Sequence, residues 1–223
     1  MIDPRRIIAE LIGTALLLAI VVGSGIMAER LAGGNVALAL LANTLATGAG
    51  LLALILLFGP VSGAHFNPLV TCSAVWLKQL DGRTALWMVA AQVIGAVGGV
   101  IAAHGMFELP LLSASQHART GAGQWLSEAI ATFGLLGIII GTVRRDPSAT
   151  PCAVAAWITS AYWFTASTSF ANPAVTLARA MTDSFAGIRQ QDVSGFVLAQ
   201  AAATVVAVPL FNWLFPTSPT HTR

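Results

Sequence analysis

Charge is scarce in this sequence. Lys and Arg number 11 and Asp and Glu 9 among 223 residues, or 9%, where soluble domains carry about 25%. So few charges cannot cover a water-facing surface. The apolar 56% of the chain therefore has to meet lipid, and the chain reads as an integral membrane protein. The basic residues form no cluster, which excludes a nucleic-acid partner. Cysteine is equally scarce: Cys72 and Cys152 supply neither a disulfide framework nor a metal spacing, and they read as small packing residues. No nucleophile stands at a recognisable spacing from a base, and there is no metal-ligand cluster or Gly-rich phosphate loop. The expectation is that the protein is not an enzyme and uses no metal or cofactor.

What is present is long apolar sequence. A spanning helix needs roughly 20 mostly apolar residues. Six stretches qualify: Ile7 to Met27, Val36 to Phe58, Ala85 to Ala103, Trp125 to Val143, Cys152 to Phe170 and Gly195 to Phe215. The fifth holds seven hydroxyl residues between Thr159 and Ser169, so it should face protein or water. The first follows Arg5 and Arg6 as a signal peptide would. Its length and the internal Glu10 favour a retained helix. Basic residues set topology. With the N-terminus inside, the inner loops hold Arg5, Arg6, Lys78, Arg83, Arg144, Arg145 and Arg223, against Arg30, Arg119, Arg179 and Arg189 outside. Both termini are expected in the cytoplasm. The loops are short, so no soluble domain is expected beside them.

Two further apolar segments, near 67–77 and 172–181, are too short to span, and each opens with Asn-Pro. Phe66-Asn67-Pro68-Leu69-Val70-Thr71 parallels Ala171-Asn172-Pro173-Ala174-Val175-Thr176 at an offset of 105 residues. Glu10 pairs with Glu128, and Gln92 with Gln200, at similar offsets. The chain reads as a duplication, with repeat 1 at about 5–104, repeat 2 at about 124–215 and a flexible tail at 216–223. Three crossings per half invert the second half relative to the first, and paired short segments in inverted repeats point to a central site. The expected fold is an all-α membrane protein: six transmembrane helices plus two half-helices in a single domain over 1–223.

Asn-Pro suits the start of a half-helix. The Asn oxygen caps an orphan N–H, and Pro at the first helical position gives up an N–H that has no helical partner. Two such N-termini facing each other each carry roughly half a positive charge. The Asn amide groups remain to donate to whatever passes. Water oxygen is welcome there; protons and cations are not.

Ser62-Gly63-Ala64-His65-Phe66-Asn67-Pro68-Leu69-Val70-Thr71 and Asn172-Pro173-Ala174 resemble the paired Asn-Pro-Ala boxes of the aquaporin and aquaglyceroporin family. The resemblance covers the whole chain. It implies a homotetramer with one passive pore per subunit, in a bacterial inner membrane, moving water or small neutral solutes without a cofactor. It also implies a filter of four positions, which by counting from the boxes are Thr47, Ser160, Ser169 and Val175, with Ala161 the alternative to Ser160. Water-selective members carry an aromatic residue, a His and an Arg there; glycerol channels carry aromatics and the Arg. None stands at these positions here. A wide, uncharged filter follows, suited to polyhydroxylated neutral solutes. It resembles that of bacterial members associated with arsenic resistance, so arsenous acid and small methylated arsenicals join glycerol as expected cargo.

Other residues leave alternatives open. Arg179 shares a helix face with Val175 and either restores charge from the vestibule or pairs with Asp183 or solvent. Leu69, where the family has Ala, either narrows the central layer or packs. A channel narrowed by Leu69 or Arg179 would pass water alone. By the same resemblance Glu10 and Glu128 accept hydrogen bonds from the loops before the half-helices; a proton-coupled carrier would use them as proton sites instead. His65 either fixes its loop or senses pH. Gln92 and Gln200 should tie helices together. Gly95, Gly98 and Gly99 allow close helix approach. Trp76, Trp87, Trp125 and Trp213 fit an interfacial belt, and Trp157 and Trp163 are expected near the pore.

Overall fold

A computed structural model describes residues 2–216. Helices α1 (Pro4–Leu31), α2 (Val36–Ser62), the short α3 (Pro68–Trp76) and α4 (Gly82–Met106) make up the first half. Helices α5 (Ala122–Arg145), α6 (Thr150–Phe164), the short α7 (Pro173–Arg179) and α8 (Val193–Leu214) make up the second. No strand occurs among the described residues. The tail from 217 onward, with Arg223, lies outside them.

The helix starts follow from local chemistry. Asp3, Asn35 and Asp81 each cap an orphan N–H, on Arg5, Leu38 and Thr84, and such a cap contributes about 1 kcal/mol. Five helices are long and apolar enough to cross a membrane: α1, α2, α4, α5 and the segment ending in α8. The fifth expected stretch, Cys152 to Phe170, is shorter than read. Helix α6 has 15 residues, a rise of about 22 Å, and ends at Phe164. The hydroxyl-rich remainder to Ser169 is loop, and its hydroxyls serve the approach to α7. Apolar composition counted it as helix because composition does not see the backbone turn.

α1 is the most enclosed of the long helices: 56% of its apolar window is buried, against 33–44% for the others. It packs closely on α4. A methyl placed on Gly95 would collide with the Leu11 carbonyl, and one on Gly99 with the Ala15 carbonyl. In lipid, such small residues let backbones approach and gain dispersion contacts. Gly98, expected to share that role, is exposed and meets nothing. Cys72 and Cys152 are both exposed, not interior packing residues. Trp76, Trp87, Trp125 and Trp213 are all exposed near helix ends.

Candidate pore and filter

α3 and α7 begin at Asn67 and Asn172, in extended backbone with Pro next. Asn67 Oδ1 accepts from Leu69 N, and Asn172 Oδ1 from Ala174 N and Val175 N. The two helix tips meet. Asn67 Nδ2 donates to Ala171 O at 2.8 Å, and Asn172 Nδ2 donates to Phe66 O at 2.7 Å. The amides are therefore not wholly free, as the sequence reading had them. One N–H of each ties the two halves, and since an amide carries two, one remains for the lumen.

The loops before the tips are built alike. Positive φ falls at Gly63, Ala64 and Phe66, and again at Thr168, Ser169 and Ala171, each 105 residues on. Left-handed backbone costs an L-residue roughly 1–2 kcal/mol, so something has to hold it. That holder is a buried carboxylate in each half. Glu10 accepts from His65 N, Phe66 N, Ser62 Oγ and Gln92 Nε2. Glu128 accepts from Phe170 N, Ala171 N and Gln200 Nε2. The glutamines also donate to Thr71 and Thr176, whose hydroxyls return to the Asn67 and Asn172 carbonyls. His65 Nδ1 lies 3.1 Å from Thr71 Oγ1.

A cavity of about 290 Å³ passes this junction. At one end it is lined by Gln79, Arg144 and Thr150, in the middle by His65, Asn67 and Asn172, and at the other end by Thr47, Tyr162, Ser169, Val175 and Arg179. Apolar stripes at helical spacing form the walls: Leu17 and Val21 of α1, Thr47, Leu51 and Ile55 of α2, and Val154, Ile158 and Tyr162 of α6. Glu10 and Glu128 are fully buried and do not touch the cavity.

Three filter candidates, Thr47, Ser169 and Val175, line the cavity together. Ser160 does not: it is exposed, with its hydroxyl on the Trp157 carbonyl. Ala161 is buried but also stands off the cavity. The residue on that wall is Tyr162, the chain's sole tyrosine, with its hydroxyl 3.4 Å from Thr47 Oγ1. The expected aromatic-free filter is thus corrected by Tyr162, while Arg179, the candidate for a charge in the vestibule, also lines the cavity. Arg179 is 2% exposed, donates from Nε to Ala186 O, and rests with Cζ 3.4 Å from the Phe170 ring centroid. It does not pair with Asp183, whose carboxylate accepts from Gln116 N. Leu69 is half-buried beside the cavity without lining it. Trp157 and Trp163 also stand away from the lumen.

Sequence reasoning missed Arg119. It lies in the loop between α4 and α5 yet is 6% exposed. It donates to the Ser167, Phe185 and Gly187 carbonyls, and its Cζ lies 5.2 Å from the Phe170 ring. Burial pulls its guanidinium down to about 10, so it is a cation at pH 7. The loop carrying it is pinned by Ser113 N on Met181 O and Ser115 N on Ala180 O. No sequence signal marks a buried loop arginine among exposed ones.

A sequence model of the Major intrinsic protein family matches residues 3–165. The chain is 52% identical over 210 residues to aquaglyceroporin AqpS of Rhizobium meliloti, covering 94% of this chain and 90% of that protein. It is 30% identical over 149 residues to the glycerol uptake facilitator protein-like 6 of Lactiplantibacillus plantarum, covering 64% and 65%. The X-ray structure of the aquaglyceroporin from Plasmodium falciparum superposes with a TM-score of 0.67 over 96% of both chains at 20% identity, a likeness of fold.

Proposed function

The chain belongs to the major intrinsic protein family, and from that membership we infer which solutes this membrane channel for small neutral molecules passes and how. The cargo we propose is water, glycerol-like polyols and arsenous acid with its small methylated relatives. The observation that carries the reading is the cross-bonded Asn67–Asn172 junction standing in the wall of a cavity whose long walls are mainly apolar. A solute passing there trades hydration for the two spare amide N–H groups. The hydroxyls of Thr47, Tyr162 and Ser169 at one end suit partners that both donate and accept. Likeness to an aquaglyceroporin and to a glycerol facilitator-like protein supports a polyol-sized path. The arsenical cargo is supported by Val175 after the second box and by hydroxyl-bearing side chains on the cavity wall.

The excess of basic residues on one side supports cytoplasmic termini in an inner membrane. The Arg144 end of the cavity is then cytoplasmic and the Arg179 end faces out. Assembly as a homotetramer follows the family. The test is stopped-flow light scattering on proteoliposomes. An impermeant osmolyte should give rapid shrinkage, and inward gradients of glycerol or arsenous acid should give shrinkage then reswelling. Shrinkage without reswelling would refute the polyol reading and favour water alone. Flux that saturates and follows a proton gradient would refute the channel.

A further inference from the structure

The geometry points to Arg179 as the cation barrier and chief solute donor of this channel, acting one helical turn beyond the position where Val175 stands. This rests on the channel reading above. Val175 is apolar and adjoins the second box, so nothing at its position repels a cation. Arg179 follows on the same face of α7, and its side chain lines the cavity.

An arginine this buried normally has a carboxylate partner, because an unpaired charge out of water is expensive. This one has none among the described residues, where the single ion pair is Arg189 with Asp192. What holds it instead is neutral. Nε donates to the Ala186 carbonyl and the guanidinium lies on the Phe170 face, a cation–π arrangement that stabilises charge without cancelling it. Phe170 is itself fixed, since its N–H is held by Glu128. Arg119 anchors the neighbouring backbone on the Ser167, Phe185 and Gly187 carbonyls and adds a second uncancelled positive charge near the same ring. The charge at the cavity wall is therefore not neutralised by a paired carboxylate.

A second observation sets the ligand chemistry. Ser169 Oγ is buried, lines the cavity and has no protein partner. Tyr162 and Thr47 stand side by side in the cavity wall with hydroxyls 3.4 Å apart. The fork of Arg179 donates only, and the three hydroxyls donate and accept. Together they fit a neutral solute bearing adjacent hydroxyl groups, such as a vicinal polyol. The guanidinium charge repels a cation, for which the hydroxyls alone would supply acceptors.

The test uses full-length protein in liposomes, with Arg179→Leu, Arg179→Lys and the double variant Arg179→Leu/Val175→Arg. Water shrinkage, glycerol reswelling and proton or potassium leak under an imposed potential are read on each. Arg179→Leu should raise cation leak roughly a hundredfold, the factor expected for one charge about 6 Å away at an effective dielectric near 20. The double variant should restore cation exclusion by returning a guanidinium from position 175. Arg179→Lys should keep exclusion while glycerol flux falls several-fold, since an ammonium lacks the planar fork. Unchanged leak in Arg179→Leu protein that elutes like the wild type overturns the inference. Should that variant not fold, wild-type glycerol flux in Arg179→Lys overturns it. Absence of water and glycerol flux in the wild type strikes at the channel reading itself.

Discussion

Glu128 shows how much one buried side chain holds in place. Its fully buried carboxylate satisfies the N–H groups of Phe170 and Ala171 and the Gln200 amide. Glu128→Ala leaves three donors unpaired, each worth about 1–3 kcal/mol, and should lower the thermal unfolding temperature in detergent sharply; Glu128→Gln, which keeps one acceptor, should lose less. Tyr162→Phe removes one lumen hydroxyl. At about 1 kcal/mol for a net hydrogen bond, glycerol reswelling should slow about fivefold while water flux holds. His117, facing Arg119, Arg179, Glu29 and Asp183, is held below the usual imidazole value, first by burial and then by the two arginines, which outweigh the two carboxylates. A depressed histidine contributes stability that is present above its unfolded value and lost as pH falls. Unfolding temperature should therefore fall more steeply below about pH 6 in the wild type than in His117→Gln. Glu10, Glu128, Gln92 and Gln200 were legible because polar residues inside apolar runs stand out. Tyr162 was not. Counting back from the box placed Ser160 on the lumen, and two residues on a helix turn the face by about 200°. Nothing in an apolar helix that meets apolar surroundings on all sides fixes its rotation.

At the scale of elements, the close pair is α1 with α4. Gly95→Leu or Gly99→Val drives a side chain into the Leu11 or Ala15 carbonyl and should abolish monodisperse elution. Gly98→Ala, which meets nothing, should behave as wild type; equal effects at all three positions would refute the contact. The half-helices were legible from Asn-Pro alone, since capping and a fixed φ are local properties. The end of α6 was not. Its last expected turn is a loop in which Ser169 N donates to Ser167 Oγ and the Ser167 carbonyl accepts from the Arg119 fork, and Arg119 comes from distant sequence.

Over the whole molecule, a continuous cavity bypasses both buried glutamates. A carrier coupled through Glu10 or Glu128 needs them accessible from that path, so glycerol flux should be independent of a proton gradient and proportional to concentration. A dissipating gradient that drives glycerol uphill would refute this. The long helices leave large apolar faces exposed, including Leu45 and Leu57 on α2 and Trp163 on α6. Elution with light scattering in mild detergent should give four times the 23.0 kDa chain, the mass expected of the family's tetramer.

The sequence by itself determined that the chain lives in lipid, that it holds two half-helices opening with Asn-Pro, and that a carboxylate recurs in each half. These are local or compositional properties, set by hydropathy, capping and repetition along the chain. Only the tertiary structure decided which side chains share the lumen. It turned Tyr162 inward and Ser160 out, spent one amide N–H of each Asn on the opposite loop, and folded Arg179 and Arg119 onto Phe170 without a carboxylate. Those outcomes depend on helix rotation and on partners far apart in sequence, and neither leaves a mark in the order of residues.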